Sequence, residues 1–383
     1  MVRTITPELL RRRLIDGATP VLIDTRPESN FSSWHIPGAS NYPFSPEDTL
    51  DPDDLHTAVD VDTTDEVITL CAKGKSSTAI ARELENAGFE DVHVLQDGMQ
   101  GWSRLYEVAA IPTVATALEI FQIQRVAKGC LGYVVGAPRT GEAVVVDPTR
   151  HIDEFTHVVA DDDMDIVRVI DTHIHADHIS GGRELADETG ATYHLPAEAK
   201  ARDPAIEYTP LHRNEVVSIG DIDLKAVSTP GHTGESISLL IGGEAILTGD
   251  TLFVDGVGRT ELQYGDEEAE TGARQLYRSI HGSILSLPDG VTVLPGHFNP
   301  DTADALERVG TPISRPVGEL RTEVSLLSVD EAEFVERLVA GLPEKPPNYE
   351  RMIDINTGAD EPAGGEEATE LELGPNRCAV EAD

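Results

Sequence analysis

Short hydrophobic runs alternate with amphipathic stretches along most of the chain, in two blocks. In the first block, aliphatic and β-branched runs predict buried strands at residues 21–24, 67–71 and 92–95. Thr6 followed by Pro7 predicts the start of one helix, and a second helix is expected over residues 77–84. Strands that alternate with helices indicate a parallel α/β sheet, which we assign to a domain at residues 1–110.

The second block is richer in strands. Its patterns predict a hairpin around residue 140 and further strands at residues 166–171, 216–227, 245–248 and 291–294. We assign residues 111–117 to a linker and residues 118–357 to a second domain. Residues 358–383 are acidic and rich in Gly and Ala, so we expect a disordered tail there.

A dense group of metal-binding residue types follows the predicted strand 166–171. Within six residues the chain carries His173, His175, Asp177 and His178. Side-chain packing gives no reason to collect these residues on a loop at a strand end, whereas a divalent metal does. The sequence therefore predicts a metal site here.

Three later residues share one local arrangement. His232, Asp250 and His297 each follow an apolar run, and each stands directly after a glycine. Glycine allows a tight backbone turn, so these side chains can face a common site. Together with the first cluster they give seven candidate donors.

A cysteine occupies the equivalent strand-to-helix junction of the first block. Cys71 is followed by a short loop formed by Ala72, Lys73, Gly74, Lys75 and Ser76. Backbone amides in such a loop bind anions, and the helix N-terminus and two lysines lower a thiol pKa. A buried structural cysteine is the alternative; we favour a thiolate that carries sulfur as a persulfide.

The amino-acid composition limits which partners and which cellular environment are expected for this protein. The formal charge is -40, from 69 acidic and 29 basic residues, while 39% of residues are hydrophobic. Such a chain repels nucleic acid, so no nucleic-acid partner is expected. The acidity resembles that of haloarchaeal proteins, which suggests a halophilic source. Three cysteines, no apolar leader and no long apolar run predict a cytoplasmic protein without a membrane span.

The first block resembles a single-domain rhodanese. The resemblance rests on Asp24-Thr25-Arg26, on Trp34-His35-Ile36-Pro37-Gly38-Ala39, on residues 71–76 and on residues 95–102. It implies that Cys71 accepts sulfur and that residues 72–76 bind the sulfur-bearing anion. The second position of that loop, where the family usually has Arg, is Ala72 here.

The second block resembles the metallo-β-lactamase fold, through the order H-x-H-x-D-H, then His, Asp and His. The resemblance implies an αββα sandwich with metal at one edge of its two sheets. It implies one subsite of His173, His175, His232 and Asp250. It implies a second subsite of Asp177, His178, His297 and the bridging Asp250.

Two enzyme types within this fold fit the sequence. Glyoxalase II-type thioesterases use both subsites, with two zinc ions. Persulfide dioxygenases bind one Fe(II) through residues that correspond to His173, His232 and Asp250. In that case His175, Asp177, His178 and His297 form a second subsite that stays empty.

Residues 258–265 resemble the persulfide dioxygenases, which makes Arg259 and Thr260 candidates for substrate binding. A rhodanese partner also handles the sulfane sulfur that such an enzyme consumes. We therefore favour a dioxygenase that acts on a small thiol persulfide, coupled to sulfur transfer from thiosulfate or a persulfide. A metallo-hydrolase and a non-catalytic sulfur-carrier scaffold remain as alternatives. We expect residues 342–356 to pack as a C-terminal arm; the alternative is that they cover the metal site and bring Tyr349 near it. A homodimer is compatible with the sequence.

Overall fold

The first domain is a parallel sheet flanked by helices. The computed structural model describes residues 2–265, 268–300, 310–374 and 379–381. Five parallel strands, in the order β1-β5-β4-β2-β3, are β1 Arg3–Ile5, β2 Val21–Asp24, β3 Ser40–Asn41, β4 Glu66–Leu70 and β5 Asp91–Leu95. The helices between consecutive strands are α1 Pro7–Ile15, α2 Glu28–Ser33, α3 Pro52–Ala58 and α4 Lys75–Asn86, and α5 Gly98–Trp102 follows β5. This confirms the predicted α/β class.

The second domain contains two sheets. The seven-stranded sheet consists of β6 Tyr106–Ile111, β7 Glu119–Arg125, β8 Cys130–Ala137, β9 Glu142–Val146, β10 Asp165–Ile170, β11 Thr192–Pro196 and β12 Thr209–Leu211. The six-stranded sheet consists of β13 Val216–Ile219, β14 Ile222–Ser228, β15 Ile237–Ile241, β16 Ala245–Gly249, β18 Thr292–Pro295 and β19 Arg315–Pro316. Apart from these sheets, β17 Gly256–Gly258 pairs antiparallel with β20 Ala379–Glu381.

Helices cover the outer face of each sheet. A central core joins the facing sides of the two sheets through residues such as Val144 and Leu239. Outside the seven-stranded sheet, α6 Asp153–Asp161 and α7 Gly182–Thr189 bury Phe155 and Leu185. Outside the six-stranded sheet lie α9 Ala269–Ser279 and the helices Val317–Glu323 and Glu331–Ala340. The short α8 Glu261–Tyr264 precedes α9, and the helix Tyr349–Thr357 follows this group. The order helix, sheet, sheet, helix is the expected αββα sandwich.

The boundary between the domains lies earlier than expected. Residues 106–111 form β6, which pairs antiparallel with β7 along its whole length. They belong to the sandwich, although we assigned most of them to the first domain. As an edge strand, β6 has a weak hydrophobic alternation, with exposed positions such as Val108, so the pattern alone did not mark it.

The expectation of a disordered tail is wrong for residues 358–374. A helix, Gly365–Leu371, lies in this segment, and Ala368 and Leu371 pack with Met352 and Ile179. Glu372 is buried, because Arg125 and Arg150 supply its charge partners. Cys378, the cysteine that the sequence places in this acidic stretch, lies outside the described residues. Among the described residues, no helix has the length and apolar composition that a membrane span requires.

Candidate metal centre and sulfur-transfer site

The seven predicted donors lie at one edge of the sandwich, in loops that follow strands. The first four follow β10, His232 follows β14, Asp250 follows β16 and His297 follows β18. All seven side chains are buried. Glycines allow this convergence: Gly249 has φ 49°, and a Cβ there would lie 2.4 Å from Thr172 Oγ1. A Cβ at Gly296 would lie 2.6 Å from Asp250 Oδ1.

Three of the donors form a compact group of two imidazoles and one carboxylate. One ligand atom from each of His173, His232 and Asp250 lies within 4.8 Å of the others. Asp250 Oδ2 is 3.9 Å from His173 Nε2 and 3.7 Å from His232 Nε2. This is the donor set of a facial 2-His-1-carboxylate site, which leaves coordination positions open.

Hydrogen bonds aim these donors at a common point. His232 Nδ1 donates to the Arg259 carbonyl at 2.7 Å, so its Nε2 faces the other two residues. His173 Nδ1 is 3.0 Å from Thr172 Oγ1, which donates to Asp147. Among the described residues, His173 Nε2 and Asp250 Oδ2 are buried without a hydrogen-bond partner. Buried lone pairs of this kind fit a metal ion.

The charge states match that assignment. Burial, with the neighbouring His175, lowers the pKa of His173 well below its usual value and keeps the ring neutral. Burial alone would raise the pKa of Asp250, but His297, His173 and His232 outweigh it and lower that pKa. A neutral imidazole and an ionised carboxylate are the forms that bind metal.

His175 lies beside the three-residue group, with its ring centroid 4.2 Å from that of His173. Its Nε2 lies 3.3 Å from Asp147 Oδ1 and 3.9 Å from Asp171 Oδ1, two acidic residues that the sequence analysis did not select. Its Nδ1 is buried without a hydrogen-bond partner among the described residues. A ligating imidazole commonly has its other nitrogen against a carboxylate, so His175 is placed to bind metal through Nδ1.

The other three donors gather around a cysteine. Asp177, His178 and His297 form a buried cluster with Cys130. His297 spans two carboxylates, with Nδ1 2.6 Å from Asp250 Oδ1 and Nε2 2.9 Å from Asp177 Oδ2. Because Nδ1 contacts Oδ1 of Asp250, Oδ2 of that carboxylate faces His173 and His232. His297 is thus a positioning residue for the carboxylate of the three-residue group.

Cys130 was not predicted as part of the site. Its Sγ is 3.8 Å from Asp177 Oδ2. Burial raises the thiol pKa, but hydrogen bonds and charge from His178 and His297 dominate and lower the pKa of Cys130 to about 6. No local motif surrounds this residue, which lies on β8, 47 positions before Asp177.

The predicted substrate-binding residues have structural partners. Arg259 is fully buried, forms an ion pair with Glu261 and donates to the carbonyls of Pro343 and Glu344. Thr260 Oγ1 donates to Ala269 O. These contacts tie the 258–265 stretch to its surroundings, so the structure does not support substrate binding by Arg259 or Thr260.

The segment at 342–356 contacts the metal-site loops through Asn356. Asn356 Nδ2 donates to His175 O at 2.9 Å and to His178 O at 2.8 Å. The Tyr349 hydroxyl donates to Glu350, and the Lys345 ammonium lies 5.8 Å from the Tyr349 ring centroid. Asn356 therefore supports the backbone of the His cluster from outside.

The Cys71 loop surrounds its thiol with hydrogen-bond donors. Gly74 N donates to Cys71 Sγ at 2.9 Å, and Ser77 Oγ lies 3.3 Å from the sulfur. Burial alone would raise the pKa of Cys71, but hydrogen bonds from Ser77, Ser76 and the loop amides outweigh it and lower the pKa. The thiol lies beside the N-terminus of α4, as expected for a nucleophilic thiolate.

The two domains and their sites define the class of protein: an α/β domain with a cysteine in a strand-to-helix loop, followed by a sandwich with a buried group of candidate metal ligands. Comparison with known families agrees. Residues 6–105 match the rhodanese-like domain, and residues 127–297 match the metallo-beta-lactamase superfamily. The chain is a rhodanese-like domain joined to a metallo-β-lactamase domain.

Two curated relatives and one solved structure describe the second domain more closely. A hydroxyacylglutathione hydrolase of Polaromonas sp. is 33% identical over 169 residues, 43% of this chain and 60% of that protein. The mitochondrial persulfide dioxygenase ETHE1 of Mus musculus is 27% identical over 169 residues, 43% of this chain and 62% of that protein. The structure of ETHE1 from Myxococcus xanthus has a TM-score of 0.54 at 28% identity, and covers 63% of this chain and 98% of that one.

Proposed function

We propose that the second domain is an iron-dependent dioxygenase that oxidises a small thiol persulfide to sulfite. One observation carries this proposal: His173, His232 and Asp250 form a closed group of three donors. Both ring nitrogens of His297, in contrast, already contact carboxylate oxygens, Nδ1 that of Asp250 and Nε2 that of Asp177. A dinuclear hydrolase site of this fold would need His297 as a ligand of its second metal. The arrangement found here favours one metal with open positions.

Each side chain of such a site would have a separate role, either as an iron ligand or as a residue that holds a ligand in place. Bound Fe(II) would supply open positions for O2 and a sulfur ligand, together with redox chemistry. His173 and His232 would hold it through Nε2, and Asp250 through Oδ2. The Arg259 carbonyl fixes the His232 ring, and His297 fixes Asp250. The net reaction takes a thiol persulfide, O2 and water to a free thiol, sulfite and two protons.

Oxygen uptake by the full chain tests this proposal. Protein loaded with Fe(II) without air should consume O2 when a thiol persulfide is added, and sulfite should form in equal amount. Zinc-loaded protein is the matched control, because zinc binds the same donors but is not redox active. Thioester hydrolysis by the zinc form, without O2 uptake by the iron form, would contradict the proposal.

A metallo-hydrolase is the second candidate, since all seven donors are present and buried. The similarity to a hydroxyacylglutathione hydrolase supports it. It requires two metals for each chain, whereas the dioxygenase requires one. Metal analysis after dialysis distinguishes the two, and the absence of bound metal would support the scaffold alternative.

We also propose that Cys71 carries sulfane sulfur for the second domain, from thiosulfate or a persulfide. Cys71→Ser should abolish sulfur transfer, because a serine hydroxyl is not ionised at neutral pH and cannot hold a persulfide. Oxygen uptake with added thiol persulfide should remain within about twofold, since distant sites behave independently. Cys378→Ser is the matched control. Loss of both activities in Cys71→Ser would point to one shared site.

A further inference from the structure

We propose that the Cys71 site takes its sulfur from an organic persulfide in preference to thiosulfate. The inference rests on the sulfur-transfer role proposed for Cys71, and it concerns the chemical class of the donor. Two features carry it: two cations beside Cys71, Lys73 and Arg26, form ion pairs with acidic residues, and the cavity wall beside the thiol is largely apolar.

The C-terminal helix Gly365–Leu371 supplies the first acidic partners. Lys73 Nζ lies 2.8 Å from Glu366 Oε1 and also contacts Glu370. The pKa of Glu366 is lowered, first by its hydrogen bond to Lys73 and also by the charge of Lys75. One helix from the far end of the chain therefore sets two carboxylates against the cations of the sulfur-transfer loop.

The nearby arginine is also neutralised. Arg26 Nη2 donates to Asp24 Oδ2 at 2.6 Å and to Trp34 O at 2.6 Å, and Arg26 Nε lies 3.0 Å from both Asp24 oxygens. Asp24 is fully buried. A further carboxylate, Asp48, lines the same cavity. A dianion such as thiosulfate would meet little net positive charge here.

The rest of the cavity wall beside Cys71 can bind the aliphatic part of an organic ligand. Cys71 opens into a cavity of about 570 Å³ whose lining includes Pro27, Pro43, Phe44 and Pro46. Thiosulfate has no apolar surface to place against these residues and would lose hydration in binding there. An organic persulfide can lay its aliphatic part along the wall while its outer sulfur reaches Cys71.

The transfer step needs no added oxidant or reductant. The Cys71 thiolate attacks the outer sulfur of the donor persulfide, a new sulfur–sulfur bond forms, and the donor's own sulfur–sulfur bond breaks. The donor leaves as a thiolate, and the proton stays on the transferred sulfur. The amide of Gly74, 2.9 Å from Sγ, stabilises the thiolate before the attack.

Sulfur loading of Cys71 in the full chain tests the preference. Mass spectrometry would follow the gain of one sulfur atom from cysteine persulfide or from thiosulfate. The wild-type chain should load from cysteine persulfide with a kcat/KM at least about tenfold higher, the discrimination of one well-placed apolar contact. Glu366→Gln with Glu370→Gln should raise kcat/KM for thiosulfate roughly 2- to 5-fold, the size of an exposed ion-pair effect. The increase should come mainly from a lower KM for thiosulfate. The kcat/KM for cysteine persulfide should change less.

Glu319→Gln with Glu336→Gln is the matched control, because it removes the same charge from two exposed helix positions elsewhere. Equal loading from both donors would overturn the preference while leaving Cys71 as a sulfur acceptor. The preference would also be overturned if the Glu366→Gln, Glu370→Gln variant and the Glu319→Gln, Glu336→Gln control had the same ratio of kcat/KM for thiosulfate to kcat/KM for cysteine persulfide. Loading from neither donor would overturn the sulfur-transfer role itself, and the preference with it.

Discussion

Asp250→Ala is expected to remove the bound metal and to lower oxygen uptake by at least about 100-fold, beyond the usual effect of losing a ligand's supporting contact. Asp250 contributes the only carboxylate of the three-residue group, and its Oδ2 faces both His173 and His232. Without it, two neutral imidazoles remain, and His297 loses its 2.6 Å partner. Metal analysis and an oxygen electrode measure the two effects.

His297→Ala is the informative comparison. His297 contacts Asp250 through Oδ1, on the side away from the proposed metal, so its loss should loosen the carboxylate without removing a ligand. We expect metal to be retained under saturating Fe(II), with activity lowered about 10- to 100-fold. The exposed His212→Ala is a control for histidine loss. Equal metal loss in His297→Ala and Asp250→Ala would make His297 a ligand and favour a dinuclear hydrolase.

Local patterns were enough to predict which residues converge at the metal site. Each donor follows a strand, and glycines such as Gly249 and Gly296 stand where the structure leaves no room for a Cβ. Strand ends at one edge of a sandwich bring such residues together regardless of the sequence between them. The positions of the donors directly after strands were therefore enough to predict that they lie close together.

The direction of each side chain could not be predicted in the same way. His173 and His175 are two residues apart, yet one faces Asp250 and the other faces Asp147. That division depends on Asp147, Thr172 and Asp171, which no local sequence pattern connects. Cys130 was missed for a similar reason, because its contact with Asp177 exists only after β8 and β10 assemble around β9 in one sheet.

Composition was misleading at the C-terminus. Acidic residues near the end of a chain usually remain solvated, and the disorder prediction followed that rule. Here Glu372 Oε2 lies 2.9 Å from Arg125 Nη2 and 3.0 Å from Arg150 Nε. Its other oxygen accepts from Ile179 N, one residue after His178. The partners are more than 190 positions away in sequence, so no local window contains them.

Glu372→Gln is therefore expected to lower the free energy of unfolding by about 3–5 kcal/mol, the usual cost of removing one partner of a buried ion pair. Gln retains an oxygen that can accept a hydrogen bond from Ile179 N, so the loss of stability reports only the removal of the negative charge. Arg125 has a fully buried side chain and would be left without a carboxylate. Urea unfolding measures the change, and Glu361→Gln on the exposed surface is the control.

A double variant separates the charge effect from simple loss of packing. Arg125→Met together with Glu372→Gln removes both charges of the pair and keeps the acceptor for Ile179 N, so it should recover most of the stability lost in Glu372→Gln. Recovery is expected because the cost of the single variant lies in an unpaired buried guanidinium. If the midpoint of urea unfolding is the same for Glu372→Gln and for the wild-type chain, residues 358–374 do not pack on the sandwich in solution. In that case the contact of Lys73 with Glu366 and Glu370 would also be lost, because the same segment holds their helix in place.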